Sequence, residues 1–119
     1  MAWEIEYYET ERGKCPVEEF IDRLDVKSKA KLARTIDLLE QFGADLGMPY
    51  ARHVEGELWE LRTRLGSSQF RIIYSRSGSR TFILLHGFVK KTGRMPKRDL
   101  KIAKDRLGDF LSRRKRGQI

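Results

Sequence analysis

The chain has 119 residues and a mass of 14.0 kDa, which is room for one domain with one core and too little for a doubly wound dinucleotide fold or an eight-fold barrel. With 39% hydrophobic residues, two Trp, four Tyr and six Phe, it carries enough apolar side chain to offset ordering entropy despite 35% charge, so disorder is excluded. One Cys (Cys15) and two His supply neither an internal disulfide nor a zinc ligand set, and the longest strongly apolar run, Phe82 to Leu85, stops at His86 and Gly87. The expectation is a cytoplasmic, metal-free and cofactor-free protein with no membrane span and no signal peptide.

Ala2 to Tyr8 alternates, with Trp3, Ile5 and Tyr7 on one side and Glu4, Glu6 and Tyr8 on the other, the period of a half-buried strand. Pro16 opens a helix, with Glu18 and Glu19 in its first turn and Val17, Phe20, Ile21 and Leu24 at helical spacing. A second helix spans Val26 to Phe42. Leu32, Ile36, Leu39 and Phe42 form its apolar stripe, and Gly43 is placed to end it. A loop through Pro49 and Gly56 leads to three strand-like runs, Leu58 to Leu65, Phe70 to Arg76 and Thr81 to Lys90. The turns at 66–68 and 77–79 join them as antiparallel hairpins. A last helix runs from Pro96 to Arg114, with Leu100, Ala103, Leu107, Phe110 and Leu111 inward. The pattern βααβββα defines an α+β fold: a small antiparallel sheet with two N-terminal helices and a C-terminal helix, one domain over 1–119 with a basic tail at 112–119.

The formal charge of +8 conceals a polarity. Residues 1–60 carry 14 acidic and 8 basic side chains, whereas residues 61–119 carry 3 acidic and 17 basic. No Asp or Glu occurs from Leu61 to Arg98, a stretch that holds Arg62, Arg64, Arg71, Arg76, Arg80, Lys90, Lys91, Arg94, Lys97 and Arg98. Uncompensated cations in one small fold repel each other, which points to a polyanionic partner, nucleic acid before acidic protein.

Strand alternation decides which charges cooperate. Leu58, Glu60, Arg62 and Arg64 share one face of their strand, and Arg71 points with Ile73. In the third run Phe82, Leu84, His86, Phe88 and Lys90 align. A sheet face carrying Arg62, Arg64, Arg71, His86 and Lys90 is thus compatible with the pattern, and register decides whether the five converge. Each also has a bland reading. Arg71 is either a phosphate ligand or a partner of Glu60; His86 and the loop residue His53 are structural more often than catalytic. Trp59, Phe82 and Phe88 suit a core as well as base stacking, and the run Arg113 to Arg116 suits a helix C-terminus as well as RNA.

Leu58-Trp59-Glu60-Leu61-Arg62, Phe70-Arg71-Ile72-Ile73-Tyr74 and His86-Gly87-Phe88-Val89-Lys90-Lys91-Thr92 with Pro96-Lys97, in that order, resemble the RelE/ParE toxin superfamily, nearest its phage-derived HigB-like branch. The resemblance covers about Ala2 to Leu111. It implies a compact α/β toxin with a basic sheet surface and a cognate antitoxin as partner. Members similar to RelE and HigB cleave mRNA in the ribosomal A site; members similar to ParE poison DNA gyrase without cutting anything. A ribosome-dependent endoribonuclease is the reading the motif series favours, with a ParE-like gyrase inhibitor or a nucleic-acid-binding regulator without catalysis as alternatives.

Such cleavage needs a base for the 2′-hydroxyl, charge to neutralise the phosphorane and a proton for the departing 5′-oxygen, chemistry that Arg and clustered Lys supply without a metal. By the resemblance, Arg71 matches the strand arginine at the scissile phosphate, Lys90 the basic residue after the last strand, and Arg62 or Arg64 the basic pair on the preceding strand. Arg71, Lys90 and His86 are the catalytic candidates, and Arg62, Arg64, Lys91, Arg94 and Lys97 the RNA-binding ones. The tyrosine that follows the last strand in several RelE-like members has no counterpart, since Thr92 and Lys97 occupy that region.

Overall fold

Five strands and three helices follow one another as β1 (Glu4–Tyr7), α1 (Pro16–Asp22), α2 (Val26–Phe42), β2 (Ala51–Glu55), β3 (Leu58–Leu65), β4 (Ser68–Gly78), β5 (Thr81–Val89) and α3 (Lys97–Lys115) in a computed structural model. It describes residues 2–91 and 93–119; Thr92, part of the last motif above, lies outside the described residues. The α+β class and the expected order hold, with two differences. Ala51–Glu55, expected as loop, pairs with β3 as a fifth strand, and the sheet is mixed because β1 runs parallel to β5 in the order β1-β5-β4-β3-β2.

Local chemistry accounts for the helices. Pro16 occupies the first position of α1, where its missing N–H costs nothing, and the Asp25 carboxylate accepts the Ser28 backbone N–H at 2.8 Å to cap α2. Gly43 ends α2 at φ +55°, and a Cβ there would lie 2.0 Å from the indole of Trp3, so both the turn and the packing require glycine. One 3₁₀ turn, Gly43–Asp45, follows.

The sheet is covered on both faces, so the single expected core is two. Val17 of α1 and Leu32, Ile36 and Leu39 of α2 pack with Leu61, Phe70, Ile72, Tyr74, Phe82 and Leu84 on one face. Ala103 and Phe110 of α3 pack with Tyr8, Leu58, Ile73, Ile83, Leu85 and Phe88 on the other. This double burial is why the middles of β4 and β5, Ile72 to Tyr74 and Phe82 to Leu85, read as unbroken apolar runs. Two residues expected inward are instead open to solvent: Phe42 in the last turn of α2 is 52% exposed and Leu111 of α3 is 38% exposed.

One irregularity matters for the site. Ile73 pairs with His86 but the next residue, Tyr74, pairs with Leu84, so β5 carries an extra residue there. Phe82 and Leu84 therefore face α1 and α2, while Phe88 faces α3. The expected single face of Phe82, Leu84, His86, Phe88 and Lys90 is divided by this bulge: His86, Phe88 and Lys90 move to the face of Arg71, and Gly87 turns the opposite way, where its lack of a side chain admits the Phe20 ring.

Helix α3 is fastened by its arginines. The Tyr8 hydroxyl donates to Asp109 Oδ2 at 2.6 Å, Arg113 donates to the same oxygen through Nε at 3.1 Å, and its Nη2 donates to the Glu9 carbonyl. Arg114 donates to the Ser77 carbonyl and lies over Phe110. Half of the basic run at 113–116 is thus structural, with Arg113 only 6% exposed. Among the described residues no helix is long and apolar enough to cross a membrane.

Candidate functional site

Register brings the basic residues together at one end of the α3 face. On β3 and β4, Arg62 sits directly opposite Arg71, and Glu60 opposite Ile73. Strand β2 adds Arg52 opposite Glu60. At the end of β5 the Lys90 N–H donates to the Gln69 carbonyl at 2.8 Å, which extends the ladder by one residue and places Lys90 beside Arg71. Arg52, Arg62, Arg71, Lys90 and Lys91 line an open cleft of about 690 Å³, with Gln69 and Ser68 at its edge.

Arg71 forms the floor. Its Nη2 donates to Gln69 Oε1 at 2.9 Å, its Nη1 to the Phe70 carbonyl at 3.2 Å, and its Nε faces Glu60 Oε1 at 3.3 Å. The Nε contact is an ion pair without hydrogen-bond alignment. The residue is only 2% exposed. Burial lowers its pKa, with Glu60 opposing, and a guanidinium remains charged throughout. Arg71 therefore takes the Glu60 partnership that the sequence offered as one alternative, and projects its charge into the cleft from below.

Glu60 is the acid that holds the cluster. Its Oε1 lies 3.3 Å from Arg71 Nε and 3.8 Å from Arg62 Nε, and so it orients both arginines. Lys90 is half-buried. Its pKa is lowered first by burial and further by the charges of Arg71, Arg62 and Arg52, with Glu60 pulling the other way. That makes it the cleft's lysine best placed to give up and regain a proton.

The remaining candidates separate. Lys91 lines the cleft, and Arg94 lines a second hollow that shares Lys90 and Arg52 with it. Arg64 shares the face of Arg62 but sits opposite Gln69 and opens onto a neighbouring hollow with Met48 and Pro49. Lys97 is exposed at the start of α3 and lines neither.

His86 is held elsewhere. Its Nε2 lies 2.6 Å from Asp99 Oδ1, Arg106 Nη1 approaches its Nδ1 at 3.3 Å, and its ring stacks on Phe88. Arg106 can only donate, so Nδ1 accepts and Nε2 carries the hydrogen: the pattern specifies neutral imidazole. Burial, Arg106 and Arg98 lower its pKa against the pull of Asp99. The residue ties β5 to α3 and does not line the cleft. His53 is exposed, its Nε2 2.8 Å from the Gly56 carbonyl, and Phe82 and Phe88 are core.

Sequence reasoning missed Arg52 because Ala51–Glu55 is short, polar and lies at the sheet edge, where alternation is weak. The available signal was Val54, whose side chain packs against the α3 core.

The family model of phage derived protein Gp49-like matches residues 19–108, a span that contains every cleft residue. The chain belongs to that family, a RelE/ParE-like toxin family. No curated protein matches the chain.

Proposed function

We propose that the chain is the toxin of a toxin-antitoxin pair of the RelE/HigB type, a ribosome-dependent mRNA endoribonuclease held silent by a cognate antitoxin. The observation that carries this reading is the cleft itself: Arg52, Arg62, Lys90 and Lys91 around the buried Arg71, with Glu60, already committed to two arginines, as the acid beneath them. Membership of the Gp49-like family supports the toxin role.

The chemistry follows from the geometry. Arg52, Arg62 and Lys91 hold the phosphates flanking the scissile bond, and Arg71, immobilised by Gln69 and Glu60, supplies fixed positive potential where phosphorane charge develops. Lys90 in its neutral form takes the proton of the 2′-hydroxyl. The 2′-oxygen bonds to phosphorus, the bond from phosphorus to the 5′-oxygen breaks, and that oxygen takes a proton from solvent water as it departs, while the proton held on Lys90 returns to solvent. The products are a 2′,3′-cyclic phosphate and a 5′-hydroxyl.

Primer extension on mRNA from cells expressing the protein tests this, with Lys90→Met as the variant. Wild type should produce discrete message ends on translated mRNA, and the variant should lose roughly 10²- to 10³-fold in single-turnover rate on saturated ribosomes. Four accessible cations on a single strand predict a log-log salt dependence of binding with a slope of about −3. Absence of message cleavage together with stalled gyrase complexes on DNA would replace this reading with a ParE-like one.

A further inference from the structure

We propose that the side-chain amide of Gln69 is a further catalytic group of the cleft, a fixed hydrogen-bond donor to a non-bridging oxygen of the phosphate undergoing cleavage. The inference rests on the ribonucleolytic reading of the cleft and gives a role to a residue that neither the motif series nor the charge pattern singles out. Gln69 precedes Arg71 by two residues on β4, so the two side chains stand on one face. Phe70 pairs with Val89, which sets Gln69 opposite Lys90, and the Lys90 N–H donates to the Gln69 carbonyl at 2.8 Å. On β3 the residue opposite Gln69 is Arg64. Residues opposite each other across such a ladder have Cβ atoms about 5 Å apart, so the amide lies between the lysine that takes the 2′-proton and the arginine that meets the phosphorane charge.

The amide's orientation is fixed by its partner. Arg71 Nη2 donates to Gln69 Oε1 at 2.9 Å, and a guanidinium has only donors to offer. Turning the amide over would set its NH2 group against those donors, so Oε1 faces Arg71 and Nε2 faces away from it. Arg71 is itself held by the Phe70 carbonyl and by Glu60, which anchors the amide to a buried, immobile group. Among the described residues Nε2 has no hydrogen-bond partner, and it is not enclosed: the buried side-chain polar atoms without partners are Glu60 Oε1, Arg71 Nε and Ser77 Oγ. Gln69 is half-buried and lines both the basic cleft and the hollow beside Met48 and Pro49. Its two N–H groups therefore meet solvent where the cleft takes phosphate.

Two uncommitted N–H groups on a rigid support suit developing negative charge. As the 2′-oxygen adds, charge builds on the equatorial phosphoryl oxygens, and a donor already in place strengthens its hydrogen bond without reorganising. The amide does this while remaining neutral. A further cation beside Lys90 would add to the repulsion that Arg71, Arg62 and Arg52 already exert and make the lysine a weaker base. Gln69 forms no covalent bond to the substrate and gives up no proton. Its two ends have separable tasks, Oε1 for Arg71 and Nε2 for the phosphate, and glutamate at this position keeps the first while removing the second.

The test is single-turnover cleavage by the full chain on saturated ribosomes, with an ordinary message and with messages carrying one phosphorothioate at the mapped cleavage linkage, each diastereomer separately. Sulfur accepts hydrogen bonds poorly, so with the wild type the isomer that turns sulfur toward Gln69 should react roughly 10- to 150-fold more slowly than the ordinary message. Gln69→Glu should cut the rate on the ordinary message by roughly 10²- to 10³-fold and abolish that isomer's extra penalty. Gln69→Met, which adds no charge, should abolish the same penalty, with every rate normalised to the folded fraction. A Gln69→Glu rate within about threefold of wild type, no penalty for either isomer with the wild type, or a penalty unchanged in both variants would overturn the donor role. Any of these would leave the cleft reading standing with Gln69 a support for Arg71 alone. Absence of cleavage of the ordinary message by the wild type would overturn both.

Discussion

Replacing Arg71 by Met is the sharpest perturbation of the site, because it separates what the residue does for the fold from what it does for RNA. The side chains of Arg71 and Glu60 are only 3% and 4% exposed, so solvent screening does little for either charge. Removing one member of such a pair leaves the other buried and uncompensated, at a typical cost of about 3–5 kcal/mol. Arg62 tempers this. Its Nε remains 3.8 Å from the same carboxylate oxygen with its side chain 24% exposed, which places the expected loss at the lower end, about 3 kcal/mol. With a urea m-value of roughly 2 kcal/mol/M, the unfolding midpoint should fall by about 1.5 M. The double variant Glu60→Leu, Arg71→Met removes both charges and should return to within about 1 kcal/mol of wild type, since apolar replacement of a buried pair is often neutral or better. Urea titration at pH 7 of the wild type, both single variants and the double completes the cycle. A midpoint drop below about 0.5 M for Arg71→Met, or a double variant less stable than either single one, would refute the assignment of Arg71 and Glu60 as a buried, mutually dependent pair. The result also governs how catalysis is measured: cleavage by any Arg71 variant must be normalised to its folded fraction.

Two further outcomes follow from the packing. His86 is held neutral with a lowered pKa, so between that value and 6.5 the unfolded chain binds more protons than the folded one; stability should rise with pH across this window and fall on acidification below 6.5. Thermal melts from pH 7.5 to 5 should show a steeper acid loss for wild type than for His86→Gln, and parallel profiles would mean that the imidazole titrates the same in both states. Gly43→Ala drives a Cβ to 2.0 Å from the Trp3 indole at φ +55°, combining overpacking with left-handed strain. The combined cost of about 2–5 kcal/mol corresponds to a Tm drop of roughly 8–20 °C by calorimetry, and a Tm within about 2 °C of wild type would show that the indole yields freely.

Much of the fold was legible because its elements carry strong local chemistry. Pro16 opens the first helix and Gly43 ends the second, and the apolar runs from Leu58 to Leu65 and from Phe70 to Arg76 could be little other than strands. The acid-free stretch also located the basic surface before any register was known. What stayed hidden is what pairing alone decides. Ala51–Glu55 has no strand pattern of its own and becomes one by adding to the edge of β3. The parallel placement of β1 beside β5 depends on a crossover through both N-terminal helices, which periodicity does not encode. The fate of Arg113 was equally non-local: its partners are Asp109, one turn away, and the carbonyl of Glu9, near the other end of the chain.

The β5 bulge connects these failures to the site. Strict alternation puts Lys90 in phase with Phe82 and Leu84, and both of those pack under α1 and α2. A Lys90 in that phase would point away from Arg71, and the cleft would lose the lysine whose pKa the neighbouring arginines depress. One extra residue, inserted where Ile73 pairs with His86 and Tyr74 with Leu84, reverses the phase for everything downstream. The same reversal presents His86 to Asp99 and Arg106, so the contact that anchors α3 and the residue that completes the cleft are set by one local departure from the ladder. The five-residue face inferred from alternation thus reached the right side of the sheet for Lys90 and His86, although Phe82 and Leu84, which were placed with them, face the other way.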